Sequence, residues 1–249
     1  NDGNGLYSDD EDLLVSLTEA GFAIRTARSQ HDTEEDTQVF APGEDGFVRA
    51  DGLPPLQAVA AYVIDDAPFL PDQAPLVDVS PDGADTLATD PAGTVAAALW
   101  TGLAIADSGP YDIIIDADQD GRYDALEEPV DNLTGPGFRV QAMNATNLAG
   151  EAREAFPINE PIYATGGGFP PGIRLDLYVV EDGSVASGSL LADETEEVER
   201  DVQVSAAGEF GPLKVWEKPE REHAGFYDLV ADVDQDGVYD RTKDALVLR

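Results

Sequence analysis

Apolar side chains arrive along this chain in short runs broken by glycine, proline and aspartate, and no stretch sustains a helical period. Tyr111-Asp112-Ile113-Ile114-Ile115, Leu175-Asp176-Leu177-Tyr178-Val179-Val180 and Tyr227-Asp228-Leu229-Val230-Ala231 are rich in β-branched and aromatic residues, which suit a pleated, buried surface. Gly137-Phe138-Arg139-Val140-Gln141-Ala142-Met143 alternates apolar with polar after a proline-glycine turn, the period of a strand with one wet face. Short strands with such turns between them predict an all-β chain built from antiparallel β-sandwiches.

The pattern occurs twice. Tyr62-Val63-Ile64 aligns with Tyr178-Val179-Val180, and Gly93-Thr94-Val95 with Gly208-Glu209-Phe210. Val39-Phe40-Ala41 with Gly46-Phe47 is set against Ile162-Tyr163-Ala164 with Gly168-Phe169. Trp100 and Trp216 precede Tyr111 and Tyr227 by the same interval. A tandem repeat follows, with one sandwich over residues 38–143 and a second over 160–249 that lacks its last strand. A polar linker, 144–159, joins them. Residues 1–37 precede them, with 28–37 as a second polar linker.

Within each repeat one stretch recurs nearly unchanged: Asp116-Ala117-Asp118-Gln119-Asp120-Gly121-Arg122-Tyr123-Asp124 and Asp232-Val233-Asp234-Gln235-Asp236-Gly237-Val238-Tyr239-Asp240. Oxygen ligands at alternate positions, followed by a glycine that lets the backbone turn sharply, are what a hard cation of calcium size requires. Acidic turns also contain Asp and Gly without any metal, but two copies at equivalent places favour a site.

The first half of this stretch resembles the calcium loops of EF-hands, dockerins and thrombospondin-type repeats. The resemblance implies calcium as the bound ion, with Asp116, Asp118 and Asp120 at the first, third and fifth positions, the Arg122 carbonyl at the seventh and Asp124 at the ninth. The second set is Asp232, Asp234, Asp236, Val238 and Asp240. An EF-hand closes with glutamate at the twelfth position, where this chain has Glu127 and Lys243. One residue later both copies are acidic, so Glu128 and Asp244 are taken as the closing ligands. Strands lead into both loops, so the expected metal ties the end of a strand and no helix pair is involved.

Gly166-Gly167-Gly168-Phe169-Pro170-Pro171-Gly172 before Leu175 to Val180, with Ala224-Gly225-Phe226-Tyr227-Asp228-Leu229-Val230, resembles the immunoglobulin-like repeats of bacterial and archaeal surface proteins. The resemblance covers most of residues 38–249 and implies tandem immunoglobulin-like sandwiches with a calcium loop before the last strand. It also implies a protein of the cell surface or exterior.

The repeat register extends to the N-terminus. Asp2-Gly3-Asn4-Gly5-Leu6-Tyr7 reads as a partial third loop, and Asp12 matches Glu128 and Asp244. Gly21-Phe22-Ala23-Ile24-Arg25-Thr26 matches the closing segment that begins at Gly137. A sandwich short of one strand invites strand addition, so two main arrangements stay open beside a strand that folds back within one chain. Copies of the chain assemble head to tail, the segment from Gly21 to Thr26 acting as donor strand to the second sandwich of a neighbour, or the sequence is a window on a longer array of such repeats.

Composition narrows the partners. Fifty-one acidic residues against fourteen basic ones give a formal charge of −37, which excludes nucleic acid and anionic membranes as partners. Self-repulsion on this scale calls for bound cations, a salty medium or both. The chain has no cysteine, so metal sites take over the stapling that disulfides give other exported proteins. No apolar run is long enough to span a membrane. Asn132-Leu133-Thr134 and Asn144-Ala145-Thr146 match the N-glycosylation pattern, a three-residue signal that also arises by chance.

No catalytic constellation is evident. His31 falls in the first polar linker, His223 in a charged turn, and the Gly166-Gly167-Gly168 run lacks the lysine of a phosphate loop. The tryptophans at equivalent positions fit a shared core role, or sugar stacking in a carbohydrate-binding module. The leading expectation is a non-enzymatic, calcium-stabilised extracellular structural protein, a filament, stalk or surface-layer subunit. The alternative is an adhesin or carbohydrate-binding module of a larger secreted protein.

Overall fold

The computed structural model describes residues 24–247 apart from 33, 68, 133, 134 and 196–198. The partial loop around Asp2, its counterpart acid Asp12 and the expected donor residues Gly21, Phe22 and Ala23 lie outside the described residues. The first sandwich contains β1 (Thr26–Gln30), β2 (Val39–Phe40), β3 (Gly46–Asp51), β4 (Ala58–Asp65), β5 (Asp85–Ala88), β6 (Val95–Trp100), β7 (Gly109–Asp116) and β8 (Phe138–Val140). The second contains β9 (Ala142–Thr146), β10 (Ile162–Gly167), β11 (Arg174–Glu181), β12 (Glu199–Gln203), β13 (Phe210–Trp216), β14 (Tyr227–Asp232) and β15 (Ala245–Val247).

Each unit faces a small sheet against a larger one, β1-β3-β6 on β2-β8-β7-β4-β5 and β13-β10-β9 on β12-β11-β14-β15. Pairing is antiparallel apart from β2 with β8, which run parallel. Two separate cores fill the gaps between the sheets. One gathers Val48, Val59, Val63, Leu99, Trp100, Ile113 and Ile115, the other Met143, Phe169, Leu175, Leu177, Trp216 and Leu229. Strand alternation explains half of the Ile113-Ile114-Ile115 run, since the outer two face the core. Ile114 points the other way and is wholly buried, against Tyr123, Ile64 and the segment after β4. Cover on both faces makes the central strands apolar throughout.

Several expectations need correction. The stretches 28–37 and 144–159 are not loose linkers. Residues 28–30 belong to β1 and 144–146 to β9, and each strand turns back tightly through the same hydrogen bonds, His31 N–H to Glu35 O and Asn147 N–H to Glu151 O, at 2.9 and 3.1 Å. Polar composition concealed strands whose inward residues, Ala27 and Ser29 in one and Met143 and Ala145 in the other, are buried or partly buried. The boundary expected after Met143 falls at Gln141, the single residue between β8 and β9. Likewise Thr26 pairs with Asp51 inside the first sandwich and is no donor. The partner of β10 in the first repeat is β3 and not Val39-Phe40-Ala41, because β3 lies between β1 and β6 as β10 lies between β9 and β13.

The second sandwich, expected to have no last strand, carries the short β15 on β14. Its counterpart in the first is the bridge between Ile114 and Val130. β8, the strand expected to be missing, and β2, which pairs with it, have no counterpart among the described residues. His31, expected at the surface, is buried with its ring edge-on to Phe40 at 5.1 Å.

Candidate metal centres

Both loops leave the end of a central strand, and Asp116 and Asp232 are the last residues of β7 and β14. Each is fully buried and accepts backbone N–H groups on both carboxylate oxygens. Asp116 takes Gln119 at 2.6 Å and Gly121 at 2.9 Å; Asp232 takes Asp236 at 3.3 Å and Gly237 at 2.8 Å. Gln119 and Gly121 adopt φ of +62° and +75°, and Gln235 and Gly237 adopt +59° and +75°, so the two loops turn alike. Short bonds to the next backbone amides then orient the following carboxylates, Arg122 N–H to Asp120 and Val238 N–H to Asp236, both at 2.8 Å.

The turn brings carboxylates together. One oxygen each from Asp116, Asp118 and Asp120 lies within 4.8 Å of the others, and the same holds for Asp232, Asp234 and Asp244. Asp124 and Glu128 fall outside the first group, and Asp236 and Asp240 outside the second. Glu128 nevertheless closes its loop, with Oε2 accepting the Asp124 N–H at 2.9 Å and its carboxyl against Asp116. Asp244 does so more tightly, accepting Val233 N–H at 2.8 Å and Asp240 N–H at 2.7 Å. Gly121 O and Tyr123 N–H both bond the hairpin at Ala74 and Leu76. Backbone groups alternate along an extended segment, which turns the Arg122 carbonyl to the side of Asp120. Val238 is flanked in the same way by Gly237 and Tyr239 bonding Leu191 and Ser189.

Burial pushes Glu128 up to about 8, and the charges of Asp116 and Asp118 add to the shift against the Asp124 N–H. Asp244 is pushed up to about 7 by burial, with Asp232 and Asp234 adding. Carboxylates crowded in this way favour a proton or a cation among them. In the second loop Lys243 Nζ stands 3.0 Å from both Asp234 and Asp240, an ammonium on one acid of the cluster and on one beside it. Carboxylates plus a backbone carbonyl form an all-oxygen donor set, which fits a hard divalent ion.

Two residues that the sequence reading did not assign anchor these loops. Tyr123 and Tyr239, at the same place in each copy, insert into small outer clusters, beside Ile114 and beside Tyr178 and Val230 respectively. Their repetition after Gly-Arg and Gly-Val was the available signal. Burial first, then Glu44, raises Tyr239 to about 12.

That glutamate belongs to the other sandwich. Arg241 Nε and Nη2 donate to Glu44 Oε1 at 3.0 and 2.8 Å, with Asp32 at 3.8 Å from Nη2. His31 Nδ1 lies 3.8 Å from the other Glu44 oxygen, and burial holds its imidazole below the usual value despite Glu44. The second loop therefore sits where the two sandwiches meet. The first loop faces the opposite end, where Arg25 donates to the Glu127 carbonyl. No sequence period links Arg241 to Glu44.

Trp100 and Trp216 are buried in the two cores, each ring edge-on to a tyrosine, at 5.2 and 5.0 Å. Neither offers a face to a sugar. Asn132 donates to Pro136 O at 3.1 Å. Asn144, in β9, borders a cleft of about 540 Å³ with Ile105, Ser108 and Thr165.

No family model matches the chain, and no curated protein does. Among solved structures it overlaps a tetra-tandem repeat in the extending region of a large adhesion protein, at 11% identity and a TM-score of 0.26, over 90% of this chain and 48% of that one. Red sea bream transglutaminase overlaps at 12% identity and 0.24, over 90% of this chain and 30% of its own. The chain thus spans about half of the first and less of the second, and superpositions this loose carry no argument about role. Among the described residues no helix is long and apolar enough to cross a membrane. The chain is an all-β protein of packed, mainly antiparallel sheets with, among the described residues, two acidic clusters able to hold a metal ion.

Proposed function

We propose that the chain is a calcium-stiffened structural segment of an extracellular or cell-surface protein, a filament, stalk or surface-layer subunit whose sandwiches join head to tail. Neighbours are further copies of itself or further repeats of the same kind. The role is mechanical, with no reaction assigned. The observation that carries the reading is the pair of equivalent loops, each converging three carboxylates within 4.8 Å at the end of a central strand. Deprotonated carboxylates held this close repel one another, so a cation shared among them fastens the strand end to the run that leads to the next strand. In the second loop the fastening extends to the Arg241–Glu44 contact and hence to the angle between sandwiches.

Calcium at about 10⁻⁴ to 10⁻³ M, the range of extracellular modules, loads such sites outside a cell. Calorimetric titration of the metal-freed chain is expected to yield two sites of this affinity, accompanied by a higher melting temperature and slower proteolysis around residues 116–132. Unchanged melting in saturating calcium would overturn the assignment. The adhesin or carbohydrate-binding alternative loses its tryptophan platform to the two cores, and a glycan array remains its direct test.

A further inference from the structure

In the first sandwich β8 runs along the start of β7, pairing Phe138 with Tyr111, Arg139 with Pro110 and Val140 with Gly109. Asp112, buried at the edge of this pairing, is fully used, with Oδ1 accepting Gly137 N–H at 2.9 Å and Oδ2 accepting Ala67 N–H at 3.2 Å. The Phe138 ring stacks on Tyr111 at 5.4 Å, and Val140 is fully buried. The second sandwich repeats the receiving edge of β7, though not β2 on the far side of β8. Asp228 is 3% exposed and its Oδ2 accepts Gly183 N–H at 3.3 Å, but its buried Oδ1 has no partner. Tyr227 has Trp216 beside it and no second ring among the described residues. No described strand lies where β8 would.

The giving half is present at the other end of the chain. Gly168, at φ +79°, lets the Val140 carbonyl pass so close that a Cβ would sit 1.9 Å from its oxygen. Gly52, at +80°, does the same for the Ile24 carbonyl, at 2.0 Å. Ile24 thus follows the course that Val140 follows between sandwiches, yet it is 75% exposed where Val140 is 0%.

Resting on the head-to-tail reading above, we propose that the edge from Gly225 to Asp228 receives the segment Gly21 to Arg25 of a second copy of this chain, antiparallel and in the register of β8 on β7. Gly21 N–H meets Asp228 Oδ1, Phe22 lies on Tyr227, and Ile24 enters the site that Val140 fills in the first sandwich. Residues from Thr26 onward remain β1 of their own copy, so one ribbon closes one molecule and opens the next, as 138–146 does within the chain. An occupied edge turns a wet strand and an unpaired buried oxygen into a satisfied ladder.

The register pairs Ala23 with Phe226, and the chain has no cysteine to interfere. Full-length Ala23→Cys and Phe226→Cys chains are mixed with calcium under mild oxidation, with the melting temperature with and without calcium recorded on the same samples. The expected result is a disulfide-linked species of twice the 26.4 kDa chain mass from the mixture, and a ladder of multiples from the double variant. Adding Ile24→Asp, an exposed position that the isolated fold tolerates, should reduce the yield at least tenfold. A mixture that stays monomeric, a double variant that links only within itself, or a yield indifferent to Ile24→Asp overturns the proposal. If calcium still raises the melting temperature in such a sample, the metal reading stands and only the second copy is removed as occupant. A melting temperature indifferent to calcium removes that reading instead.

Discussion

The two acidic loops turn alike and differ in charge. In the first, the residue before the closing acid is Glu127, exposed, the carboxylates of Asp116, Asp118 and Asp120 converge with Glu128 against Asp116, and no basic side chain among the described residues pairs with them. In the second that residue is Lys243, whose ammonium already touches Asp234 and Asp240. The same turn can therefore be an unrelieved negative pocket or a partly neutralised one, depending on one side chain. The comparison separates what the backbone supplies, which is convergence, from what the side chains supply, which is the need for a cation.

The largest expected effect comes from removing calcium at pH 8. A site at a hundredfold excess over its Kd contributes about 2.7 kcal/mol, so chelation should lower the melting temperature by about 5–10 °C, most in the first sandwich. Acid should shrink this difference. Glu128 and Asp244 have folded values of about 8 and 7, raised from 4.5 and 3.8. The metal-free fold therefore keeps its full stability below about pH 4 and loses it as pH rises through 7 to 8. Scanning calorimetry at pH 5 and pH 8, with and without chelator, reads both halves of the statement.

Next come the strand-end aspartates. Asp116→Ala takes the acceptor from two partly buried N–H groups, those of Gln119 and Gly121, as well as removing a candidate ligand, at a cost of about 1–3 kcal/mol. Titration should then count one calcium site, and Asp232→Ala should remove the other. Smaller, at about 1–2 kcal/mol, is Gly168→Ala, which forces a side chain onto a positive φ against the Val140 carbonyl. Its signature is an added loss of coupling between the two sandwiches, seen as two separate transitions in denaturant. The smallest effect is the charge exchange. Lys243→Glu should make the second loop bind calcium more tightly and Glu127→Lys should weaken the first, each by a few-fold in calorimetry.

Much of this was legible in the sequence, for physical reasons. The strand runs, the 116-residue interval between Asp118 and Asp234, and the loops themselves follow from side-chain period and from the glycine that a sharp turn requires. Residues 28–37 misled because a tight turn and a loose linker share a polar composition, and only the backbone bonds between His31 and Glu35 distinguish them. Acidity one place beyond the usual closing position pointed to Asp244, which joins its cluster, and to Glu128, which does not, and Asp124, Asp236 and Asp240 likewise stay outside. Arg241 and Glu44 could not have been paired, because their contact depends on how two finished units abut.

With only Gln141 between β8 and β9, a pull along the molecule has no slack to take up and must shear hydrogen bonds in one sandwich or the other. During synthesis the same continuity sets an order. The ribbon that completes the leading sandwich emerges just ahead of the first strand of the following one, so each finished unit hands the ribosome's next product a strand already held straight.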